Sequence, residues 1–134
     1  MSAPPARCSS GSAPELASAG EIVEAYADWR ERCNANERLR RMLRGWDRVV
    51  HLEAADTGDS FTVEVQDQTI GPLSEGKVGA PDMVVTATSE DFADLFWGDL
   101  NPSEKYMSGE IVLAGSQEDV MRLDALSMVA FLEQ

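Results

Sequence analysis

Few side chains in this sequence of 134 residues could carry covalent or metal chemistry: it has one histidine, His51, and two cysteines, Cys8 and Cys33. A histidine-activated nucleophile needs a base beside a serine or cysteine and a group that orients the base. A zinc site needs three or four His, Cys or carboxylate ligands at close spacing. The charged residues around His51 predict a solvent-facing or rim position on a strand. We therefore expect no catalytic residue, no metal site and no cofactor.

The tripeptide Asp56-Thr57-Gly58 matches that of the aspartic proteases, in which two carboxylates share a proton. A chain this short would have to dimerise to bring two such carboxylates together. The protease form follows two large apolar residues and continues with Ser or Ala, whereas here Ala54-Ala55 precede it and Asp59 follows. The tripeptide also lies where a hairpin needs turn residues, so we interpret it as a turn.

A group of arginines lies in the first half of the chain. Such a face can hold the phosphates of a coenzyme A ester, dock on an acidic partner or contribute to a homodimer contact. The alternative, which we favour, is a solvated helix face that offsets the acidic remainder of the chain. The group consists of Arg38, Arg40, Arg41, Arg44 and Arg48.

Charge excludes two classes of partner. The formal net charge is −13, and from residue 49 onward there are seventeen acidic residues against three basic ones. The field of such a molecule opposes binding to nucleic acid or to an anionic membrane. No segment approaches the roughly 18 consecutive apolar residues of a membrane helix, so we expect no stable membrane insertion. The isolated cysteines and the lack of an apolar leader predict a cytoplasmic location.

The pattern along the chain predicts a tail and one domain. Residues 1–19 are rich in Ser, Ala, Pro and Gly, which predicts a disordered tail, and residues 20–134 form the domain. Helical spacing begins at Glu21, and a second short helix covers residues 37–44. Period-two alternation then predicts a hairpin around residues 50–65. A weak third strand over residues 69–74 and a fourth over residues 83–88 complete what we interpret as an antiparallel sheet.

The last third of the chain alternates helices with one strand. Ser89 is predicted to cap a helix, Asn101-Pro102 to begin another, and residues 110–114 to form a fifth strand. Ser116 caps a final helix whose apolar residues spread over most of its circumference, whereas a helix on one sheet face needs only a stripe of about 100°. A partner subunit, a second helix layer or an apolar ligand is therefore expected to cover it. Its apolar residues are Val120, Met121, Leu123, Leu126, Met128, Val129, Phe131 and Leu132.

Residues 82–126 resemble the sterol carrier protein type 2 family. The resemblance is carried by Leu100-Asn101-Pro102 opening a short helix, Met107-Ser108-Gly109 ending it, an alternating strand and a second glycine, Gly115. It extends in order back to Glu21. Many relatives have lysine where Glu110 stands, so this chain lacks a positive charge near the rim of the pocket.

The resemblance implies an α+β fold: a twisted, mainly antiparallel five-stranded sheet covered by helices, with an apolar tunnel between them. It implies noncatalytic binding or transfer of a fatty acid, an acyl chain or a sterol-like lipid. The final helix would help to close the tunnel, which accounts for its apolar character. The expected wall residues are Phe92, Phe96, Leu100, Met107, Met121, Leu126 and Phe131.

Two other functions are weighed against lipid binding. The first is an accessory or regulatory subunit that uses the apolar final helix as its interface. The second is a small cavity isomerase or dehydratase on a cone-shaped α+β fold, with His51 or Asp56 as the base. That fold normally ends on strands, whereas this chain ends on a helix.

Overall fold

The computed structural model describes residues 18–133. The predicted tail therefore lies outside the described residues, apart from Ser18 and Ala19, and its disorder stays a prediction. The first helix begins at Ala19, two residues before the predicted start. The Ser18 hydroxyl caps it by accepting a hydrogen bond of 3.1 Å from the amide of Glu21.

Five helices and six strands make up the described chain. The helices are α1 (Ala19–Ala35), α2 (Glu37–Met42), α3 (Ser89–Trp97), α4 (Pro102–Ser108) and α5 (Gln117–Leu132). The strands are β1 (Arg48–Ala54), β2 (Ser60–Gln66), β3 (Thr69–Ile70), β4 (Ser74–Glu75), β5 (Met83–Ala87) and β6 (Val112–Gly115). The predicted α+β class and its mainly antiparallel sheet are confirmed.

One pairing in the sheet was predicted wrongly. The strand order is β3-β2-β1-β5-β6, with β4 also pairing to β2, and β5 runs parallel to β1. The reason lies in residues 76–82, which cross the face of the hairpin before β5 begins. The Thr62 hydroxyl donates to the carbonyl of Gly76 at 2.7 Å and accepts from the amide of Val78 at 2.9 Å. The chain thus re-enters the sheet at the end where β1 started.

The predicted third strand is broken into β3 and β4 at Gly71-Pro72. A Cβ added to Gly71 would lie 2.8 Å from the carbonyl oxygen of Glu64, so the strand can approach β2 there only with glycine. Helix α1 covers this edge of the sheet. The Asn34 side chain both donates to and accepts from the backbone of Ile70, at 3.0 and 2.9 Å, and so pairs with the strand at the edge of the sheet that residues 18–133 form.

The start of α3 also differs from the prediction. Thr88, and not Ser89, is the N-cap, and its hydroxyl accepts from the amide of Asp91 at 3.1 Å. Ser89 is the first helical residue, and its amide and hydroxyl both donate to the carboxylate of Asp56 at 2.8 Å. The tripeptide that begins at Asp56 is a turn, as predicted, and Gly58 has a φ of 81° there. Its first residue additionally fixes the start of α3.

Candidate functional site

An apolar cavity of about 90 Å³ lies between one face of the sheet and the helices. Its floor follows from the period of two along the strands, because alternate residues point to the same face. Val50 lies opposite Val63 across β1 and β2, and Leu52 lies opposite Val85 across β1 and β5. The remaining floor residues are Val65, Ile70 and Leu113.

Aromatic side chains from α1 and α3 form one wall of the cavity. The ring of Phe96 packs edge-on against Tyr26 at 5.2 Å between centroids, and it lies 5.3 Å from Trp29. Phe92 stacks on Phe96 at 6.2 Å. Burial raises the pKa of Tyr26 well above its usual range, so its hydroxyl stays protonated and donates to the carbonyl of Gly71 at 2.6 Å. This wall is fixed by packing and by a hydrogen bond.

Helices α4 and α5 form the opposite wall, which reaches solvent. Tyr106 on α4 is 36% exposed, and Leu123 on α5 is half-buried, whereas Leu126 is buried. The hydroxyl of Ser103 donates to Asp124 at 3.0 Å and joins the two helices. Both Tyr106 and Asp124 line the cavity. The most exposed residue of the lining is therefore on α4, facing α5.

A polar cluster holds the start of α5 against the cavity. Asp119 is 6% exposed, and its carboxylate accepts from the indole N–H of Trp46 at 2.8 Å and from Arg48 Nε at 3.1 Å. The hydrogen bond from Trp46 lowers the pKa of Asp119; burial raises it, and Arg48 and Ser116 lower it further, so the net pKa lies below the usual range. Trp46 itself lines the cavity.

The guanidinium groups of Arg48 and Arg122 lie 5.8 and 5.9 Å from the centroid of the Trp46 ring. Arg122 also donates to the carbonyl of Met42 at 2.8 Å. The sequence showed the cations and the tryptophan but not their assembly, because the partners are contributed by α5, β1 and the segment after α2. No local pattern links them.

A second ion-pair group ties α4 to α3 and to the loop before β6. Lys105 Nζ lies 3.4 Å from Asp91 and 3.0 Å from Glu110. The hydroxyl of Ser108 donates to Glu110 at 2.9 Å. Hydrogen bonds from Lys105 and Ser108 hold the pKa of Glu110 below its usual value. Glu110 therefore forms an ion pair with a lysine on the preceding helix.

The structure brings together three of the seven predicted wall residues. Phe92, Phe96 and Leu126 line the cavity. Leu100 and Phe131 are half-buried and lie outside its lining. The prediction missed the floor valines, Tyr26, Trp29 and Trp46, although the inward positions of the strands could have been read from their period of two.

Met107 and Met121 lie on the outside of the molecule. Met107 is 84% exposed in the last turn of the short helix α4, and Met121 is 64% exposed on α5. Met121 lies beside Arg41 and Arg122 in a shallow surface depression. The helical spacing of apolar residues predicted that both methionines face the cavity, but the direction in which each side of a helix faces depends on its tertiary contacts.

The residues singled out for catalysis do not line the cavity. His51 is 4% exposed, which corrects the predicted solvent-facing or rim position. It lies on the opposite face of the sheet, where its Nε2 donates to the carbonyl of Val78 at 3.1 Å. The side chain of Asp56 is engaged by Ser89 at the start of α3. Burial raises the pKa of Asp56, but its hydrogen bonds lower it more, so the net pKa is below the usual value.

Residues 18–133 contain few other groups that could react or bind a metal ion. Within that range no three His, Cys, Asp or Glu side chains come close enough to hold a metal ion. Cys33 is buried on α1, and burial raises the pKa of its thiol to about 12, so the thiol stays protonated and unreactive. None of the helices over these residues is long and apolar enough to cross a membrane.

The arginine face is partly neutralised within the molecule. Arg38 pairs with Glu133 at 2.7 Å, and Arg41 lies 3.7 Å from Glu37. Arg40 and Arg44 are exposed, and neither makes an ion pair to another described residue. An acidic or homodimer partner at this face stays a prediction.

Comparison with known proteins identifies the family of this chain and supports its fold. The SCP-2 sterol transfer family matches residues 28–127. A search of curated proteins finds no match. Solved structures with the same fold include the sterol carrier protein domain 2 of Helicoverpa armigera, with 17% identity, a TM-score of 0.65 and coverage of 88% of this chain and 95% of that one.

Two further structures are similar. The structure titled UbiJ-SCP2 ubiquinone synthesis protein is 16% identical with a TM-score of 0.63, and 81% of this chain and 94% of that chain are covered. Palmitated SCP2L2 from Aedes aegypti is 20% identical with a TM-score of 0.57, and 82% and 94% are covered. At these identities the structures show a common fold, and the family match spans most of the chain. The resemblance seen in the sequence is confirmed, and this chain belongs to the SCP-2 sterol transfer family.

Proposed function

We propose that the protein binds a single apolar lipid in the cavity between the sheet and the helices and releases it unchanged. The observation that carries this proposal is the lining of the cavity: nineteen of its twenty residues are uncharged, and their side chains come from every layer of the fold. A site of this kind stabilises a ligand by removing apolar surface from water. His51 and Asp56, the candidate bases, lie outside the lining, which supports binding without catalysis.

The cavity must expand to hold a lipid. Its volume of about 90 Å³ is smaller than the roughly 150 Å³ of an engineered cavity that holds benzene. An acyl chain or a sterol is larger than benzene. We therefore propose that a lipid pushes apart α4 and α5 and extends the cavity into a tunnel.

The side chains of α4 and α5 favour opening on this side. Tyr106 is the most exposed residue of the lining, and the half-buried Leu123 and Asp124 lie on the facing helix. The opposite wall is held by the aromatic rings packed around Phe96. Separating α4 from α5 breaks the Ser103–Asp124 hydrogen bond and exposes apolar side chains that the lipid then covers.

The free energy of burial sets how large a lipid must be to bind with micromolar affinity. Transfer of about ten methylenes at about 0.8 kcal/mol each contributes on the order of 8 kcal/mol before the costs of association and of moving the helices. Micromolar affinity corresponds to about 8 kcal/mol. A micromolar carrier therefore needs some interactions beyond ten methylenes, or a longer chain, to offset those costs.

A direct binding experiment tests the proposal. We expect a fluorescent sterol or a fluorescent long-chain lipid to bind saturably with one molecule per protein chain, because the lining encloses one continuous space. Native mass spectrometry gives the stoichiometry, and extraction gives the mass of the ligand, which should be unchanged after incubation. The absence of saturable binding across sterols, alcohols and fatty acids would contradict lipid carriage, and a ligand of altered mass would contradict binding without chemistry.

A second candidate function rests on the outer side of α5. Met121 and Leu132 are 64% and 71% exposed there, so this helix offers apolar surface to a partner subunit. An accessory subunit that uses this surface should associate as its concentration rises and should carry no lipid through purification. Sedimentation velocity over a range of concentrations separates the two functions.

The cytoplasmic location stays a prediction.

A further inference from the structure

Asp124 is unusual in the lining because it is the only charged residue there. Among the described residues, no Lys, Arg or His lines the cavity. Asp124 is half-buried on α5, next to Leu123 and two residues before Leu126, which are both lining residues. The carboxylate therefore lies where the proposed opening meets the apolar interior.

One oxygen of this carboxylate has a partner. The hydroxyl of Ser103 donates to Oδ1 of Asp124 at 3.0 Å. Within residues 18–133 Asp124 has no ion-pair partner, and Ser103 is its one side-chain hydrogen-bond donor. A carboxylate accepts up to about four hydrogen bonds, so Oδ2 can accept from a ligand.

The cations near the cavity are already engaged. Lys105, on the same helix as Tyr106, lies between Asp91 and Glu110. Arg48 pairs with Asp119 at 3.1 Å. Arg122 donates to the Met42 carbonyl at 2.8 Å, lies 5.9 Å from the centroid of the Trp46 ring, and is not part of the lining.

We infer that Asp124 sets the head-group specificity of the site: it selects a lipid with a neutral, hydrogen-bond-donating head group, such as a hydroxyl, and disfavours a fatty acid anion. The inference rests on the proposed lipid binding. A hydroxyl at the opening donates to Asp124 and gains a charge-assisted hydrogen bond. A second carboxylate at the same place is repelled across a region of low dielectric constant and finds no free cation in the lining.

The test compares two ligands of equal chain length, dodecanol and dodecanoate, at a pH well above the pKa of the fatty acid. Each displaces a fluorescent neutral lipid from the whole protein. We expect the wild-type protein to bind the alcohol about tenfold more tightly, which corresponds to ~1.4 kcal/mol. In Asp124→Asn the ratio should fall to about one, because the amide is uncharged and can donate to a carboxylate.

The control variant is Asp99→Asn, which removes one negative charge from an exposed position between α3 and α4. It should keep the wild-type ratio of the two affinities. A general effect of net charge would instead lower this ratio in Asp99→Asn and in Asp124→Asn alike. Ser103→Ala removes the hydroxyl that donates a hydrogen bond to Asp124 but keeps the charge of Asp124, and it should also keep the preference for the alcohol. Thermal melting of each variant verifies that it is folded.

Equal affinity of the wild-type protein for both ligands, or an unchanged ratio in Asp124→Asn, overturns the inference while lipid binding itself stands. Tighter binding of dodecanoate that is lost in Arg122→Gln also overturns it, because the arginines beside Trp46 would then be the anchor. If neither ligand nor any fluorescent lipid binds, the proposed function fails, and the specificity fails with it. A preference for the alcohol that only Asp124→Asn removes supports the assignment.

Discussion

Replacement of Val85 by phenylalanine is expected to weaken lipid binding strongly while the fold is kept. Val85 lies at the centre of the floor, on β5 between β1 and β6, and it is buried beneath the cavity. A phenyl ring there occupies space that the lipid needs. Displacing about three methylenes at about 0.8 kcal/mol each lowers the affinity roughly fiftyfold to a hundredfold.

The cost to folding should be small, because the ring enters an existing cavity. Overpacking of a filled core typically costs about 1–3 kcal/mol, and we expect the lower end of this range or less for Val85→Phe. Lipid titration and chemical denaturation measure the two effects separately. A stable Val85→Phe protein that binds lipid as the wild type does would place the ligand elsewhere.

Val112→Phe is the matched control. Val112 lies on β6 next to Leu113 and therefore points to the other face of the sheet, where it is 50% exposed. The same change of side chain should leave lipid affinity within about twofold of wild type, since a surface substitution of this kind rarely exceeds about 0.5 kcal/mol. Loss of binding in both variants would indicate a general effect on the sheet and not the filling of the cavity.

Asp119→Ala is expected to destabilise the protein by about 1–3 kcal/mol and, because α5 is then held less firmly, to speed the exchange of lipid. The substitution leaves the buried indole N–H of Trp46 without its acceptor, which costs about 1–3 kcal/mol. It also removes the partner of Arg48, which is 30% exposed and therefore regains water. A loss of this size is a large share of the roughly 5–15 kcal/mol that stabilises a domain.

Glu118→Ala is the control for this second prediction, because Glu118 precedes Asp119 on α5 but is exposed. It should change the free energy of unfolding by no more than about 0.5 kcal/mol. Urea denaturation gives the stabilities, and stopped-flow displacement of a fluorescent lipid gives the exchange rates. Equal stability of the two variants would show that the Trp46–Asp119–Arg48 cluster does not hold α5 in place.

The same cluster makes the stability of the fold depend on pH. The pKa of Asp119 is lowered in the folded protein, so its carboxylate binds a proton more readily in the unfolded chain. The stability it contributes is fully present above the unfolded pKa of about 3.9 and is lost as the pH falls through the folded pKa. The stability difference between wild type and Asp119→Asn should therefore be constant near neutral pH and shrink below about pH 4.

Local features of the fold could be predicted because they depend on neighbours in the chain. Asn101 and Ser116 cap α4 and α5, and Gly98 and Gly109 end α3 and α4 in the left-handed region, as the sequence indicates. Three of the predicted wall residues, Phe92, Phe96 and Leu126, line the cavity. A cap or a helix face is fixed by spacings of three or four residues, which are visible in the sequence itself.

Features that join distant segments could not be predicted in this way. The parallel pairing of β5 with β1 depends on how residues 76–82 cross the sheet, and a period of two is the same for parallel and antiparallel strands. The burial of His51 depends on the same crossing. Met107 and Met121 were expected in the wall because they are apolar, but only the packing of α4 and α5 decides which side of each helix faces inward.

The sequence by itself determined most of the elements, the caps of α4 and α5, the acidic character and the family, because each is recorded in composition or in short-range spacing. The tertiary structure decided which valines form the floor, that Trp46 meets Asp119 across 73 residues, and that Asp124 is the one charged side chain in the lining. The physical reason is that a side chain's environment is set by whichever segments the loops bring beside it. Those contacts leave no periodic trace in the chain.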